Sequence, residues 1–328
     1  MNSTRASASV RPAFHPLPAL VALVALGALV IAGVVAGCTH RPVPHFDEVR
    51  AFDDVKAQVA FGPRNPGSAG HERCRAWLVE RLGAAGGRVS EQAFADTVYG
   101  RAYRLTNVRA RFGPERGPWV VLGAHWDTRP IADMDVDPAK RGQPILGAND
   151  GASGVAVLLE IARALGETPP PIGVEIALFD GEDLGEGGDV EGFCRGSRHY
   201  VRELAHPRPI LALIADLVGD KDLALHYEQN SYNSAPNIVE RLWDGAAKVN
   251  APAFVKGVRH NVYDDHAPFL EAGIPGIDVI DFDYPAWHTS GDDLTQVAPG
   301  SLGQVGRTFL WYLYANDWGV EPSPQPGR

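Results

Sequence analysis

The 328-residue chain is 45% apolar, sets 40 Asp and Glu against 30 Lys and Arg, and carries a formal net charge of −10. That balance excludes a nucleic-acid binder, which needs a basic footprint, and leaves cation binding open. The length suits one large α/β domain as well as two small ones.

The first 38 residues stand apart from the fold. Arg5 and Arg11 make a basic start, an apolar run follows from Ala19 to Gly37, and Val35-Ala36-Gly37-Cys38 resembles a bacterial lipobox. Small residues and a Cys together at the run's end favour a lipoprotein signal peptide, with Cys38 acylated and holding the chain to a membrane. The run is long for a signal segment, so an uncleaved anchor is the rival reading. Either one puts the body outside the cytoplasm. Thr39 after the Cys points to the periplasmic side of the outer membrane in a Gram-negative cell. Without residues 1–37 the chain keeps 28 Lys and Arg against 40 Asp and Glu, a net of −12. Residues 39–45 read as a short linker, 46–320 as a single folded domain and 321–328 as a tail. Cys74 and Cys194 fit a disulfide or two buried thiols equally well.

Phe46, Val49, Phe52, Val55 and Val59 recur at helical spacing and predict a helix over His45–Phe61. Ser68 caps a second predicted helix reaching Leu82. Two extended stretches, Arg88–Phe94 and Leu105–Phe112, precede a Gly- and Pro-rich turn. Trp119–Ala124 reads as a buried strand ending at His125-Trp126-Asp127-Thr128. The Asp150 turn, Ala148 to Gly154, opens into a helix ending near Leu165. Gly173–Phe179 is the next strand, ending at Asp180-Gly181-Glu182-Asp183. A helix capped by Ser197 runs to Ala205, and strands follow at Ile210–Ala215 and Leu223–Tyr227. Helices are expected over Ala235–Val249, His266–Ala272 and Gly300–Tyr314, with a strand at Gly276–Ile280. Strands alternating with helices predict a three-layer α/β sandwich with a mostly parallel, mixed central sheet flanked by helices. Ligands bind such sheets outside the carboxyl ends of the strands. His125, Glu182, Asp183 and Asp216 fall there, and Asp150 and His288 fall on neighbouring loops.

Imidazole and carboxylate are zinc ligands, and a catalytic site keeps one position open. The candidate ligands are His125, Asp150, Asp183, Asp216 and His288, with Glu182 placed to move protons beside them. Each also has an ordinary reading. Asp150 is a possible N-cap, His125 a core histidine and His288 a loop residue packed on Trp287. Asp264 and Asp265 are possible caps for the helix that His266 begins, Asp127 and Asp180 turn residues, and Asp292 and Asp293 solvated loop residues. Five coincidences at strand ends are harder to accept than one metal site.

Gly123-Ala124-His125-Trp126-Asp127, the Asp150 turn, Asp180-Gly181-Glu182-Asp183 and Asp216 resemble the zinc aminopeptidase-like proteins. Gly196-Ser197-Arg198-His199, Asp264-Asp265-His266-Ala267-Pro268-Phe269 and Trp287-His288-Thr289 resemble, within them, the animal-type glutaminyl cyclases and their bacterial relatives. The likeness spans nearly all of the chain after the signal segment. It implies one zinc held by Asp150, Asp183 and His288, with Glu182 as the proton-transferring carboxylate. It places Asp216 and Asp264 in the hydrogen-bond network around the attacking amine, and Trp287 against the substrate. The implied reaction turns the N-terminal glutamine of a peptide or protein into pyroglutamate with release of ammonia. The family usually has Glu where Asp183 stands, and animal cyclases place a Trp where the Gly-rich loop after Asp183 runs. A second enzyme reading uses the same residues: His125 and Asp216 bind a second zinc, Asp150 bridges, and the protein is a two-metal aminopeptidase. A non-catalytic lipoprotein binding peptide or metal is a third, against which the retained Glu182 counts.

Overall fold

The computed structural model describes Met1 and residues 42–319; the lipobox, the apolar run before it and the tail from 320 lie outside the described residues. Among the described residues no helix is long and apolar enough to cross a membrane.

Helix α1 (Glu48–Ala60) starts later than its apolar spacing suggests, because the Asp47 carboxylate accepts the N–H groups of Val49 and Arg50 and fixes the first turn there. Helix α2 (Ala69–Ala84) is capped by Ser68, whose hydroxyl accepts the His71 N–H at 3.0 Å. Strands β1 (Arg88–Val98) and β2 (Arg101–Phe112) form an antiparallel hairpin. After them come β3 (Trp119–His125), α3 (Ala152–Glu167), β4 (Gly173–Phe179) and α4 (Arg195–Arg202). The chain continues with β5 (Ala212–Asp216), β6 (Leu225–Glu228), α5 (Gln229–Ser234) and α6 (Pro236–Lys248). It ends with β7 (Phe254–His260), α7 (Ala267–Glu271), β8 (Gly276–Ile280) and α8 (Pro299–Ala315).

The main sheet runs β1-β2-β4-β3-β5-β8. Strands β4, β3, β5 and β8 are parallel, and β2 pairs antiparallel with both β1 and β4, which is the mostly parallel mixed sheet the alternation predicts. Side chains alternate across β3 as a pleated strand requires. Val120, Leu122 and Ala124 join the core that includes α1, α3 and α8, whereas Trp119 and Val121 join Phe179, Tyr200 and Phe269 on the opposite face. Helix α3 is buried nearly all round. Its buried Glu160 is accordingly paired, taking two 2.7 Å hydrogen bonds from Arg50.

One expected cap is absent, and one strand was not expected. Ser197 is no cap: the helix begins at Arg195 after Cys194, and the Ser197 hydroxyl instead donates to Asp265 at 2.5 Å. Strand β7 pairs with β6 in a small second sheet and carries little apolar patterning, being exposed along most of its length.

Candidate metal centre and active site

All of the predicted site residues converge at the carboxyl ends of the parallel strands. His125 is the last residue of β3 and Asp216 the last of β5. Glu182 and Asp183 form a short turn just past β4, made possible by Gly181, whose φ of 73° suits a residue without Cβ. Asp127 accepts the N–H groups of Glu182 at 3.1 Å and Asp183 at 3.3 Å, so the turn is fixed by a buried carboxylate from the neighbouring strand end. Asp127 is thus not a surface turn residue. Asp180 is buried as well, and holds His71 at 2.8 Å and the Thr106 N–H at 2.6 Å.

The Asp150 turn is tied down at both ends. Asn149 accepts the Gly219 N–H at 2.7 Å and Ser153 accepts the Val218 N–H at 3.1 Å, which fastens the start of α3 to the end of β5. Asp292 accepts the N–H groups of Asn149 and Asp150 at 2.8 and 3.1 Å, and the Tyr284 hydroxyl at 2.8 Å. Asp292, expected in solvent, is therefore fully buried and positions the Asp150 backbone. A Cβ on Gly151 would run into His125, so this close approach requires glycine. Asp264 and Asp265 are also buried, and α7 starts at Ala267, after His266, with no side-chain cap from them.

Asp150, Asp183 and His288 offer donor atoms that lie within 4.8 Å of one another, all buried. His288 Nε2 is 3.4 Å from Asp183 Oδ1 and 3.9 Å from Asp150 Oδ2. Asp183 Oδ2 is buried and lacks any hydrogen-bond partner, an orphaned acceptor where a cation is wanted. Buried His and carboxylate donors of this number suit zinc. Burial lowers the His288 pKa, but Asp183 and Asp133 outweigh it and carry the imidazole up to about 9. A metal binding there displaces that proton.

A second group, His125, Asp150 and Asp216, also has donors within 4.8 Å. His125 Nε2 reaches Asp150 Oδ1 at 3.0 Å and Asp216 Oδ1 at 3.2 Å. Asp150 belongs to both groups. Glu182 stands beside them. Burial drives its carboxyl well above the usual range, and Asp183 and Asp264 push the same way against an opposing pull from His125. A carboxyl raised toward neutrality is what a proton carrier needs.

A cleft of about 270 Å³ opens onto this cluster, lined by Asp150, Glu182, Asp216, Asp264, Trp287 and His288 among others. Trp287 stacks on His288 with ring centroids 3.7 Å apart. Leu217 and His288 take left-handed φ values of 50° and 56°, a conformation that costs non-glycine residues energy and concentrates at functional sites.

The shorter Asp183 has a partner that spacing alone did not reveal. Buried Arg129 donates to Asp183 Oδ1 at 2.8 Å and to the Gly185 carbonyl at 3.0 Å, and grips Asp133 with two further bonds of 2.7 and 2.8 Å. Asp133 in turn lies 3.5 Å from His288 Nδ1, so Arg129 and Asp133 orient two of the three candidate ligands. Outer partners of this kind set metal affinity by about 10- to 100-fold. Arg129→Ala is expected to weaken zinc binding by that factor, read by competition with a chromogenic chelator; unchanged affinity would show that Asp183 holds its orientation unaided.

The sheet order, the flanking helices and a His–carboxylate cluster at the strand ends define a zinc aminopeptidase-like protein. The chain belongs to peptidase family M28, which residues 107–313 match. It is 25% identical over 286 residues to the glutaminyl-peptide cyclotransferase of Drosophila melanogaster, covering 77% of this chain and 78% of that protein. The structure of Bacteroides thetaiotaomicron glutaminyl cyclase bound to N-acetylhistamine is similar, with a TM-score of 0.82 and 34% identity over 84% of this chain and 100% of that one. So is a Zn-dependent exopeptidase from Parabacteroides distasonis, with a TM-score of 0.81 and 34% identity over 84% and 100% of the respective chains.

Proposed function

We propose that this protein is a zinc-dependent glutaminyl-peptide cyclotransferase with one zinc, held by Asp150, Asp183 and His288. The observation that carries the reading is the company that group keeps. Three further carboxylates, Glu182, Asp216 and Asp264, line the same small cleft, a set suited to receiving and deprotonating a free peptide N-terminus. Zinc bound there would supply Lewis-acid polarisation of the glutamine side-chain carbonyl.

The rest is work for this chain's residues. Asp216 and Asp264 hold the α-amine, and Trp287 walls the glutamine side chain. Confinement in the cleft keeps the amine near the carbonyl carbon, where intramolecular attack gains most from positioning. The bond from the α-nitrogen to that carbon forms as the bond to the side-chain nitrogen breaks. Glu182 takes the proton from the amine and returns it to the departing ammonia. No water is consumed.

A two-zinc aminopeptidase is the second reading, supported by the His125–Asp150–Asp216 group. Mass spectrometry of a Gln-initiated peptide incubated with the zinc-loaded protein separates the two. Loss of ammonia from an intact chain supports the cyclase; free glutamine and a shortened peptide refute it in favour of the peptidase. The Ala36-Gly37-Cys38 sequence supports, in addition, a lipid-anchored protein of the cell envelope. Cys38→Ser is expected to abolish incorporation of labelled fatty acid and release the protein from the membrane fraction; retention of label would place the anchor elsewhere.

A further inference from the structure

Glu182 has a neighbour that the reaction does not use. Cys194, a left-handed residue with φ of 56° just before α4, is buried as a free thiol and turns its Sγ–H toward Glu182 Oε1 at 3.5 Å. Asp264 brings a carboxylate oxygen within 4.8 Å of both donors. Asp264 is 4% exposed, and its Oδ2 lacks any hydrogen-bond partner.

We propose that Cys194 Sγ, Glu182 and Asp264 form a second cation site, separate from Asp150, Asp183 and His288, that takes a thiophilic divalent ion such as Cd²⁺ or Zn²⁺ in excess. With zinc–sulfur and zinc–oxygen bonds of about 2.3 and 2.0 Å, a tetrahedral site has a sulfur-to-oxygen edge of about 3.5 Å. The Sγ-to-Oε1 separation is 3.5 Å. A thiolate donor favours soft ions over Mg²⁺ or Ca²⁺. Glu182 and Asp264 both line the cleft, so an ion reaches the site from solvent and meets the thiol beneath them. The metal–sulfur bond forms as the sulfur–hydrogen bond breaks; the proton leaves to water, and nothing is oxidised or reduced.

An ion seated there occupies the Glu182 carboxylate, so it blocks proton transfer. That consequence rests on the role proposed above for Glu182; the site itself does not. The test is addition of Cd²⁺ to the zinc-loaded protein, followed by ultraviolet sulfur-to-metal charge-transfer absorption and by ammonia release. The wild-type protein is expected to gain the band and lose ammonia release. Cys74→Ser is expected to behave the same, and Cys194→Ser to lose the band and its sensitivity to Cd²⁺. Cadmium replacing zinc on Asp150, Asp183 and His288 has no sulfur ligand and gives no band. A wild-type protein without the band, or a band surviving in Cys194→Ser, overturns the proposal. If Cys194→Ser fails to fold, Glu182→Gln substitutes for it: the band should require more Cd²⁺ to saturate, and an unchanged titration refutes the site. A protein that shows the band but never releases ammonia leaves the site standing and removes the cyclase reading.

Discussion

Glu182→Gln is expected to fold, keep its zinc and lose ammonia release by about 10²- to 10⁴-fold, the usual contribution of a positioned proton carrier. The substitution changes almost nothing in shape. The turn that presents residue 182 depends on backbone groups, since Asp127 holds the N–H groups of residues 182 and 183. Asp150, Asp183 and His288 are untouched, so metal content should stay level in atomic emission measurements. What disappears is a carboxyl that burial has raised well above its ordinary range. An amide can neither take the proton from the amine nor return it to ammonia. Stability should not suffer, because the variant also removes a buried acid crowded by Asp183 and Asp264. Undiminished turnover would take Glu182 out of the reaction.

Much of the sheet was legible because β3 and β5 are short apolar runs ended by polar residues, the pattern of strands buried on both faces, and β4 departs from it only at Glu175. The site residues were legible for the same reason: His125 and Asp216 end such runs, and Glu182 and Asp183 follow β4 after Asp180-Gly181. What stayed hidden depends on the chain folding back on itself. Gly291-Asp292-Asp293 reads as a polar turn, and only contact with the Asn149 and Asp150 N–H groups makes Asp292 a buried support. Arg129 sits in a polar loop with no periodicity to mark it, yet its guanidinium is buried between Asp133 and Asp183. Ser197 looked like a cap because capping residues often precede helices; Asp265, distant in sequence, claims its hydroxyl instead. Strand β7 was missed because Gly257 interrupts it and its side chains are mostly exposed, so no period-two signal survives. Nothing in the sequence chose between a disulfide and free thiols for Cys74 and Cys194, and both are buried free thiols.

Asp150→Ala is expected to remove bound zinc altogether, and with it all turnover. Asp150 is the one carboxylate shared by the Asp150–Asp183–His288 and His125–Asp150–Asp216 groups, so its loss breaks a one-zinc and a two-zinc centre alike. His125→Ala separates them. A one-zinc protein keeps its full zinc content in that variant, whereas a two-zinc protein loses about half. The metal-free protein should respond to Asp150→Ala in the opposite sense. Burial first, and then repulsion from Asp183, raise the Asp150 carboxyl above its ordinary value, with His125 opposing. An acid whose folded pKa is raised favours the folded state only at low pH. That benefit drains away as pH climbs through the unfolded value of 3.8 toward the folded one. Above that range the raised value is a cost to the folded state, which a bound cation offsets. Metal-free Asp150→Ala should therefore melt at or above the temperature of metal-free wild type, while added zinc raises the melting temperature of the wild type alone. A zinc-dependent rise that survives in Asp150→Ala would show that the ion binds without the residue common to both groups.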